Sequence, residues 1–305
     1  MCTFREIFMW DSLSKYLALV KSSFEFSRNV KSDSSRIKSK SDAIRKDISV
    51  LDALLGPIPP SALKQKPRPS YMSLTPQERS IAESLFSPSN DSNDQVVVVA
   101  SRNNISVTRE KLLCLKDREW LNDEVINFYF DLLNDLNPNK VFLWNSFFWL
   151  KLSSDGNGYN YKAVQRWTSR RKVDIFKFEK IIFPMNIGKN HWALGLVDLN
   201  DKTIQYFDSL APRTVHTSFA EYIIRYLEDE FRDKHKEEPC PDFLATFTTA
   251  LVDPPQQTNG YDCGVFTCMN AECITAGRNW IDFDQSMIPD MRRKILSQIL
   301  SGRIN

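Results

Sequence analysis

The segment 254–264 constrains this chain most, because it ends in Cys263-Gly264 at the point where a loop is predicted to become a helix. An Asn-Gly pair at 259–260 favours a tight turn, and apolar residues recur at helical spacing after Cys263. A cysteine at a helix N-terminus lies among unpaired backbone N–H groups and at the positive end of the helix dipole, so its thiolate is favoured. Gln257, six residues earlier, can aim an amide N–H at the same point. The pattern predicts a cysteine nucleophile with an oxyanion hole; a buried structural cysteine is the competing interpretation.

Among the three histidines, His191 is the one placed to act as a base. It opens an apolar run of strand length, 191–199, and a turn followed by a second strand leads to Asp208. If the two strands pair as a hairpin, His191 and Asp208 lie at the same end of it, within about one side chain's reach. A carboxylate there can bind one imidazole nitrogen and leave the other facing the thiol. Taken singly, His191 can be a polar strand end and Asp208 a turn former; His216 and His235 are expected at the solvated surface.

Charge and proline divide the chain into two parts. Residues 1–70 hold 13 Lys and Arg against 7 Asp and Glu, whereas the remainder holds 27 against 31, which argues against nucleic acid as a substrate. Prolines between 57 and 69 mark a linker. We predict a basic, largely flexible N-terminal extension and linker over residues 1–70, and a catalytic domain over residues 71–305.

The cysteines show no zinc-site spacing, and Cys263, Cys268 and Cys273 cannot share one face of a helix. No secretory signal is visible, and the longest apolar runs fall short of the roughly 18–20 residues that a membrane span needs. We therefore expect free thiols in a reducing compartment, no metal, no cofactor and no membrane span. We also expect a monomer.

The order of periodic segments predicts an α+β fold in which helices and antiparallel strands are partly segregated. Helices are expected from residue 75, over 120–133 and 217–235, at Cys263, and over about 284–300. Strands are expected at 95–100, 180–186, 191–199, 203–208 and 247–253.

Short motifs follow one another along the chain in the order Trp120-Leu121-Asn122-Asp123, 145–148, 166–172, His191-Trp192, Asp208-Ser209-Leu210, Gln257 and 259–264. These motifs, in this order, resemble those of the Ulp/SENP cysteine proteases, which process and remove SUMO. Together they are far more specific than any one alone, and the resemblance covers roughly residues 70–305. It implies a papain-like fold of the Ulp/adenain type, with a mixed central sheet flanked by helices.

The resemblance assigns a role to each candidate catalytic residue. Cys263 is similar to the family's nucleophile, His191 to its general base and acid, and Asp208 to the group that orients the imidazole. Gln257 is similar to an oxyanion-hole donor that acts beside the Cys263 backbone N–H.

The resemblance also implies three substrate-binding residues. Trp120 and Trp192 resemble two indoles that form a narrow tunnel over a Gly-Gly tail, where only glycine lacks the Cβ that would clash. Asp123 resembles an acidic contact to a basic residue of SUMO. Ordinary core packing is the alternative for the tryptophans, and helix capping is the alternative for Asp123.

The activity implied is that of a thiol protease and isopeptidase cleaving after Gly-Gly of SUMO, maturing the precursor and deconjugating SUMO from lysines. SUMO or a related ubiquitin-like protein and its conjugates are the implied partners, and the implied location is nuclear, at the nuclear envelope or cytoplasmic. The alternatives are the same chemistry on a Nedd-type modifier, a non-catalytic modifier-binding module, and an acetyltransferase with a similar Cys-His-acid layout. The complete catalytic set disfavours the binding module, and the paired tryptophans disfavour the acetyltransferase.

Overall fold

The computed structural model describes residues 73–88, 98–210, 218–236, 246–250, 252–278 and 282–304. The predictions for residues 1–70 lie outside these ranges, and the predicted division at residue 70 stays a prediction. Among the described helices, none is long and apolar enough to cross a bilayer.

A mixed sheet of five strands forms the centre of the fold. The strands of the described residues, in this sheet and in a separate hairpin, are β1 Val98–Arg102, β2 Ile105–Thr108, β3 Val141–Leu143, β4 Lys180–Ile187, β5 His191–Asp198, β6 Thr203–Phe207 and β7 Thr248–Ala250. The central sheet has the order β3-β4-β5-β6-β7, and β1 pairs with β2 in a separate hairpin. β4, β5 and β6 run antiparallel, whereas β3 and β7 pair parallel with β4 and β6.

Helices cover both faces of this sheet. They are α1 Pro76–Phe86, α2 Arg109–Leu112, α3 Asp123–Leu133, α4 Phe147–Leu152, α5 Trp167–Arg171, α6 Phe219–Lys234, α7 Cys263–Thr275 and α8 Ile288–Ser301. One apolar core joins α3, α7 and α8 to the sheet, and a second joins α4 and α6 to the opposite face. Because successive strand residues point to opposite faces, Ile182 enters the first core and Phe183 the second. The predicted α+β class, with a mixed sheet flanked by helices, is confirmed.

The helix predicted over 120–133 begins later, at Asp123. The Leu121 carbonyl accepts a hydrogen bond from the Trp192 indole at 3.0 Å, while the Val125 N–H donates to the Asn122 side chain at 2.8 Å. The hydrogen bond that would extend the helix back to Leu121 is thus replaced by a capped end. Trp120 and Leu121 therefore belong to the segment that leads into α3.

Helix α7 is buried along its whole length, from Cys263 to Thr275. It packs against β5 on one side and against α3 and α8 on others. Most of its residues are apolar, and the buried carboxylate of Glu272 accepts a hydrogen bond from the Tyr129 hydroxyl at 2.7 Å. This position holds the start of α7 firmly against the strand that begins with His191.

Candidate active site

The β5–β6 hairpin brings His191 and Asp208 together at one end of the sheet. Leu194 pairs with Phe207, so Asp208, one residue beyond β6, lies across from the position before Leu194. His191 Nε2 lies 2.8 Å from Asp208 Oδ1, and both side chains are largely buried. The contact expected from the hairpin is therefore present.

Asp208 determines which imidazole nitrogen carries the proton. Its two oxygens also accept hydrogen bonds from the Leu210 N–H at 2.9 Å and the Tyr206 hydroxyl at 3.3 Å. An ionised carboxylate only accepts hydrogen bonds, so Nε2 of His191 is the donor and Nδ1 of the neutral ring is the basic nitrogen. Burial lowers the pKa of His191, but the hydrogen bond and charge of Asp208, together with the interaction with Cys263, outweigh it and raise that pKa to about 9.

Cys263 is the first residue of α7 and is 3% exposed. Its side chain interacts with the His191 ring and contributes to the raised pKa of that ring. His191 Nδ1 is buried and has no hydrogen-bond partner among the described residues, which leaves it available to the thiol. The His191 imidazole thus interacts with the Cys263 thiol on one side and with the Asp208 carboxylate on the other.

Gln257 is held by Ser209, the residue after Asp208, and by Asn259 of its own loop. Its backbone N–H donates to the Ser209 carbonyl at 2.9 Å, and its Oε1 accepts from the Ser209 hydroxyl at 2.6 Å. Its Nε2 donates to the Asn259 carbonyl at 2.5 Å. An amide nitrogen has two hydrogens, so this bond uses only one of them. Gln257 is therefore anchored to the residue that follows Asp208.

The turn before Cys263 depends on the Asn259 side chain rather than on glycine. Its Oδ1 accepts hydrogen bonds from the N–H groups of Tyr261 and Asp262, both at 3.1 Å. Gly260 is not in the left-handed region, and a Cβ there would meet open space. The tight turn predicted for the Asn-Gly pair is therefore an Asx-type turn that the asparagine forms.

Trp120 and Trp192 line one surface groove of about 400 Å³. Trp192 is buried, and its indole N–H donates to the Leu121 carbonyl at 3.0 Å. Trp120 is 52% exposed, and Phe147, 41% exposed, lines the same groove. Trp192 is packed in the core and also lines the groove. Core packing does not account for Trp120, because neighbouring exposed aromatic side chains in a groove are typical of a binding surface.

Asp123 also lines this groove and is not the cap of α3. Asn122 has that role, since its side chain accepts a hydrogen bond from the Val125 N–H. Burial raises the pKa of the Asp123 carboxyl, and the neighbouring Glu124 raises it further. The capping alternative for Asp123 is therefore wrong, and a role at the groove remains.

A close backbone approach joins the start of α7 to the segment that carries Trp120. A Cβ at Gly264 would lie 2.8 Å from the Leu121 Cβ, so only glycine permits this approach. The Leu121 carbonyl also binds the Trp192 indole. Leu121 therefore joins Gly264, the residue after Cys263, to Trp192, the residue after His191.

His235 is not the solvated surface residue that the sequence predicts. Its ring stacks on Phe231, with centroids 4.5 Å apart, and its Nε2 lies 3.6 Å from an Asp174 carboxylate oxygen. The two rings are four residues apart along α6, a spacing that places them on one face. His216 lies outside the described residues.

One buried residue beside the site escaped the sequence analysis. Arg292 is 1% exposed, and its guanidinium lies 2.5 Å from the carboxylate of Asp262, the residue before Cys263. It lies one turn from both Ile288 and Leu296 on the buried face of α8. Arg292 stands at a position where the helical pattern of Ile288 and Leu296 calls for an apolar residue, and this irregularity in the sequence could have indicated a buried charge.

Within the described ranges, no group of three or more His, Cys, Asp or Glu side chains is placed to hold a metal ion. The site itself presents a thiol, an imidazole, a carboxylate and an amide group. This α+β fold, with a cysteine at a helix start facing a histidine–aspartate pair, is that of a papain-like cysteine protease.

Comparison with known proteins identifies the family. Residues 119–302 match the Ulp1 protease family, C-terminal catalytic domain, and the chain belongs to this family. It is 39% identical over 204 residues to ubiquitin-like-specific protease 1 of Saccharomyces cerevisiae, covering 67% of this chain and 31% of the yeast protein. It is 34% identical to putative ubiquitin-like-specific protease 1B of Arabidopsis thaliana, covering 76% of this chain and 68% of that protein.

A solved structure supports the same conclusion. The C-terminal Ulp1 protease domain in complex with Smt3, described as the yeast ortholog of SUMO, superposes with a TM-score of 0.63 at 34% identity. The match covers 78% of this chain and 98% of that domain. The chain spans about a third of the length of the yeast relative, and the comparison therefore concerns the protease domain.

Proposed function

We propose that this chain is a thiol protease and isopeptidase that cleaves after the Gly-Gly tail of SUMO. It matures the SUMO precursor and releases SUMO from lysine side chains of target proteins. The observation that carries the proposal is the interaction of His191 with both Asp208 and Cys263, beside a groove lined by Trp120 and Trp192. The similarity to a protease domain solved with the yeast ortholog of SUMO supports this modifier as the substrate.

In the proposed reaction, Cys263 is the nucleophile and His191 the general base and acid. The imidazole takes the thiol proton, and the thiolate attacks the carbonyl carbon of the terminal glycine. Asp208 stabilises the imidazolium that forms and keeps the ring oriented. The imidazolium then protonates the departing lysine amine, and water, activated by the same ring, hydrolyses the thioester.

We propose that Gln257 stabilises the oxyanion together with the Cys263 backbone N–H. Its Oε1 is held by Ser209, which fixes the amide plane, and one Nε2 hydrogen is not used by Asn259. Losing one oxyanion donor typically costs on the order of 10²–10³ in turnover. Gln257→Ala is expected to lower kcat by about that factor with little change in KM, measured with a SUMO fusion; an effect confined to KM would contradict the role.

The groove supplies the selectivity in this proposal. The two indoles, Trp120 and Trp192, admit a tail without side chains, and Asp123 reads the body of the modifier through a basic residue. SUMO and its conjugates are the partners, and we propose a nuclear, nuclear-envelope or cytoplasmic location from the family. Imaging the tagged full-length chain in cells tests the location.

The test uses SUMO, a Nedd-type modifier and ubiquitin, each fused through Gly-Gly to a C-terminal extension. The SUMO fusion is expected to be cleaved preferentially by the full-length chain. Cys263→Ser is expected to fold and to lose nearly all turnover, because a serine hydroxyl is a far weaker nucleophile than a thiolate. Cys268→Ser, a buried cysteine on the same helix, is the matched control and is expected to retain turnover.

Two results would overturn parts of the proposal. Preferential cleavage of the Nedd-type fusion would reject SUMO as the substrate and leave the chemistry in place. Substantial turnover by Cys263→Ser, with loss of turnover in Cys268→Ser, would reject the assignment of the nucleophile.

A further inference from the structure

A single buried guanidinium lies between helix α8 and the start of α7. Arg292 is 1% exposed, and its Nε and Nη2 donate to the same oxygen of Asp262, Oδ1, at 3.1 and 2.5 Å. A buried charge is tolerated only when it is paired and its remaining donors are satisfied. Asp262 is itself 3% exposed, so the two charges are buried together next to Cys263.

The other donors of Arg292 bind backbone carbonyls on two sides of the site. Nη1 donates to the carbonyls of Cys114 at 3.1 Å and Lys116 at 2.9 Å. Nη2 donates to the carbonyls of Glu119 at 2.7 Å and Tyr261 at 3.3 Å. Glu119 immediately precedes Trp120, so one side chain joins the segment that carries this indole to the loop that carries the thiol.

Asp262 occupies the N-cap position of α7 without capping it. Aspartate is among the preferred N-cap residues, and its carboxylate usually accepts a hydrogen bond from the first turn of the helix. Here the Asp262 side chain makes no such bond. One oxygen is held by Arg292, and the other accepts hydrogen bonds from the Asn259 and Gln285 amides, both at 2.7 Å.

Because the Asp262 carboxylate is bound by other side chains and not by the helix, the start of α7 stays electropositive. The first N–H groups of an α-helix have no intrahelical acceptor and attract negative charge. A carboxylate turned onto them would lie beside the Cys263 thiolate and would bind the N–H groups that an oxyanion needs. The arrangement observed keeps the Asp262 charge paired and turned away.

We infer that Arg292 is a positioning residue for Cys263: it withholds the Asp262 carboxylate from the start of α7 and anchors the backbone that leads into Trp120. The inference rests on the proposed function for the identity of the cleaved substrate, but its effect on the thiol is independent of it.

Several ionisable groups surround this junction among the described residues. They are His191 and Asp208 at the end of the β5–β6 hairpin, Cys114 and Glu119 before Trp120, Cys268 and Glu272 on α7, and Asp262 and Arg292 themselves. Burial raises the pKa of Cys114 to about 11 and raises that of Cys268 as well. The two thiols are therefore uncharged near neutral pH, and Arg292 is the cation that faces Asp262.

The first test measures Cys263 itself on the full-length chain, without any substrate. The rate of iodoacetamide alkylation at Cys263 is followed from pH 5 to 9 by peptide mass spectrometry. Arg292→Gln leaves the Asp262 charge unpaired beside the thiolate. The pH at which the alkylation rate reaches half its maximum, the alkylation midpoint, is therefore expected to rise by about one pH unit. Asp262→Asn/Arg292→Gln removes that charge and is expected to restore the midpoint. An unchanged midpoint in Arg292→Gln, or no restoration in the double variant, would overturn the inference.

The second test separates the anchoring of the Trp120 segment from the charge. Arg292→Lys keeps a cation for Asp262, but an ammonium cannot match the planar fork that reaches four carbonyls. It is expected to retain the alkylation midpoint and to raise KM for the SUMO fusion several-fold, with kcat nearly unchanged. An unchanged KM would overturn the inference, and this variant decides alone if Arg292→Gln does not fold.

Tyr129→Phe is the matched structural control. Tyr129 is buried and donates its hydroxyl to Glu272 of α7 at 2.7 Å, with Gln298 of α8 also in contact at 2.9 Å. Its loss perturbs a buried bond between the same helices and is expected to change neither the midpoint nor KM. Equal changes in this control would show that Arg292 acts only through stability. If the wild-type chain cleaved no fusion, the proposed function would fail while the alkylation result would still stand.

Discussion

At the scale of single residues, the site depends on how each polar group is paired. His191 is positioned by Asp208, Asp208 by Tyr206 and by a backbone N–H, and Gln257 by Ser209. Asp208 and Ser209 lie on different segments from the side chains that they hold, whereas Tyr206 and the Leu210 N–H are each two residues from Asp208. The reactive groups therefore gain their orientation from neighbours that react with nothing themselves.

The raised pKa of His191 predicts a specific pH dependence. The folded-state pKa is about 9 against an ordinary value of 6.5, so the stabilisation is complete below about pH 6.5 and is lost as pH rises through about 9. Asp208→Asn removes the carboxylate charge, so we expect the His191 pKa to fall and this loss of stability to shift to lower pH.

The measurement is an NMR titration of the imidazole resonances together with denaturant unfolding at several pH values. The resonances of the other two histidines serve as internal references and are expected to stay in place. A His191 pKa that is the same in Asp208→Asn as in the wild type would contradict the assignment of this contact.

Asp123 is predicted to act on the modifier rather than on the chemistry. Since Asn122 caps α3, Asp123→Lys is expected to leave the stability of the fold nearly unchanged. It is expected to slow cleavage of a SUMO fusion about tenfold, because a charge-assisted bond is replaced by repulsion. A short fluorogenic Gly-Gly peptide is expected to be cleaved at close to the normal rate.

Trp192→Ala is the comparison for that experiment, because it is expected to impair cleavage of both substrates. If Asp123→Lys slowed the peptide and the fusion equally, the carboxylate would have a role other than recognition of the modifier.

At the scale of elements, the site is assembled where α7, the β5–β6 hairpin and the segment before α3 meet. Gly264 allows α7 to approach Leu121, and the Trp192 indole binds the Leu121 carbonyl. The helix start and the groove are therefore joined by direct contact. A shift of either element displaces the other.

Gly264→Ala is predicted to damage the site through this contact. The added Cβ would lie 2.8 Å from Leu121, and overpacking of this kind typically costs about 1–3 kcal/mol in the free energy of unfolding. Because Cys263 is adjacent, kcat/KM for the SUMO fusion is expected to fall more than tenfold.

Gly260→Ala is the matched control, four residues earlier, in the loop that leads into α7. A Cβ at Gly260 meets no atom within 4 Å, and its backbone is not left-handed, so stability and activity are expected to remain near normal. Equal loss of activity in both variants would show that the loop requires glycine for another reason.

At the scale of the whole molecule, two apolar cores on opposite faces of the mixed sheet hold the catalytic elements. The core that contains α3, α7 and α8 includes Cys263 and Trp192 among its buried residues. The other contains α4 and α6 and supports the sheet from behind. Among the described residues, both cores are formed by side chains from Ala82 onward.

A chain that begins near residue 70 is therefore predicted to fold and to cleave purified SUMO fusion as well as the full chain does. Residues 1–70 are basic and rich in serine and proline, and they lack all of the candidate catalytic residues. Thermal unfolding and kcat/KM of the two chains provide the comparison. Loss of folding or of activity in the shorter chain would show that the N-terminal part packs into the enzyme.

The sequence by itself determined the family, the α+β class and the hairpin that places His191 near Asp208. These features follow from local patterns: strand-length apolar runs, turn residues and a cysteine after a loop. The roles of Cys263 and Gln257 stay predictions until the variants above are measured.

Only the tertiary structure decided which groups hold those residues in place. Trp120 lies outside α3 because the Leu121 carbonyl is bound by Trp192, and Asp262 does not cap α7 because Arg292 takes its carboxylate. In both cases the deciding partner lies far away in sequence. Local propensity favours Asp262 as a capping side chain of α7, but a long-range hydrogen bond to a buried guanidinium outweighs that preference.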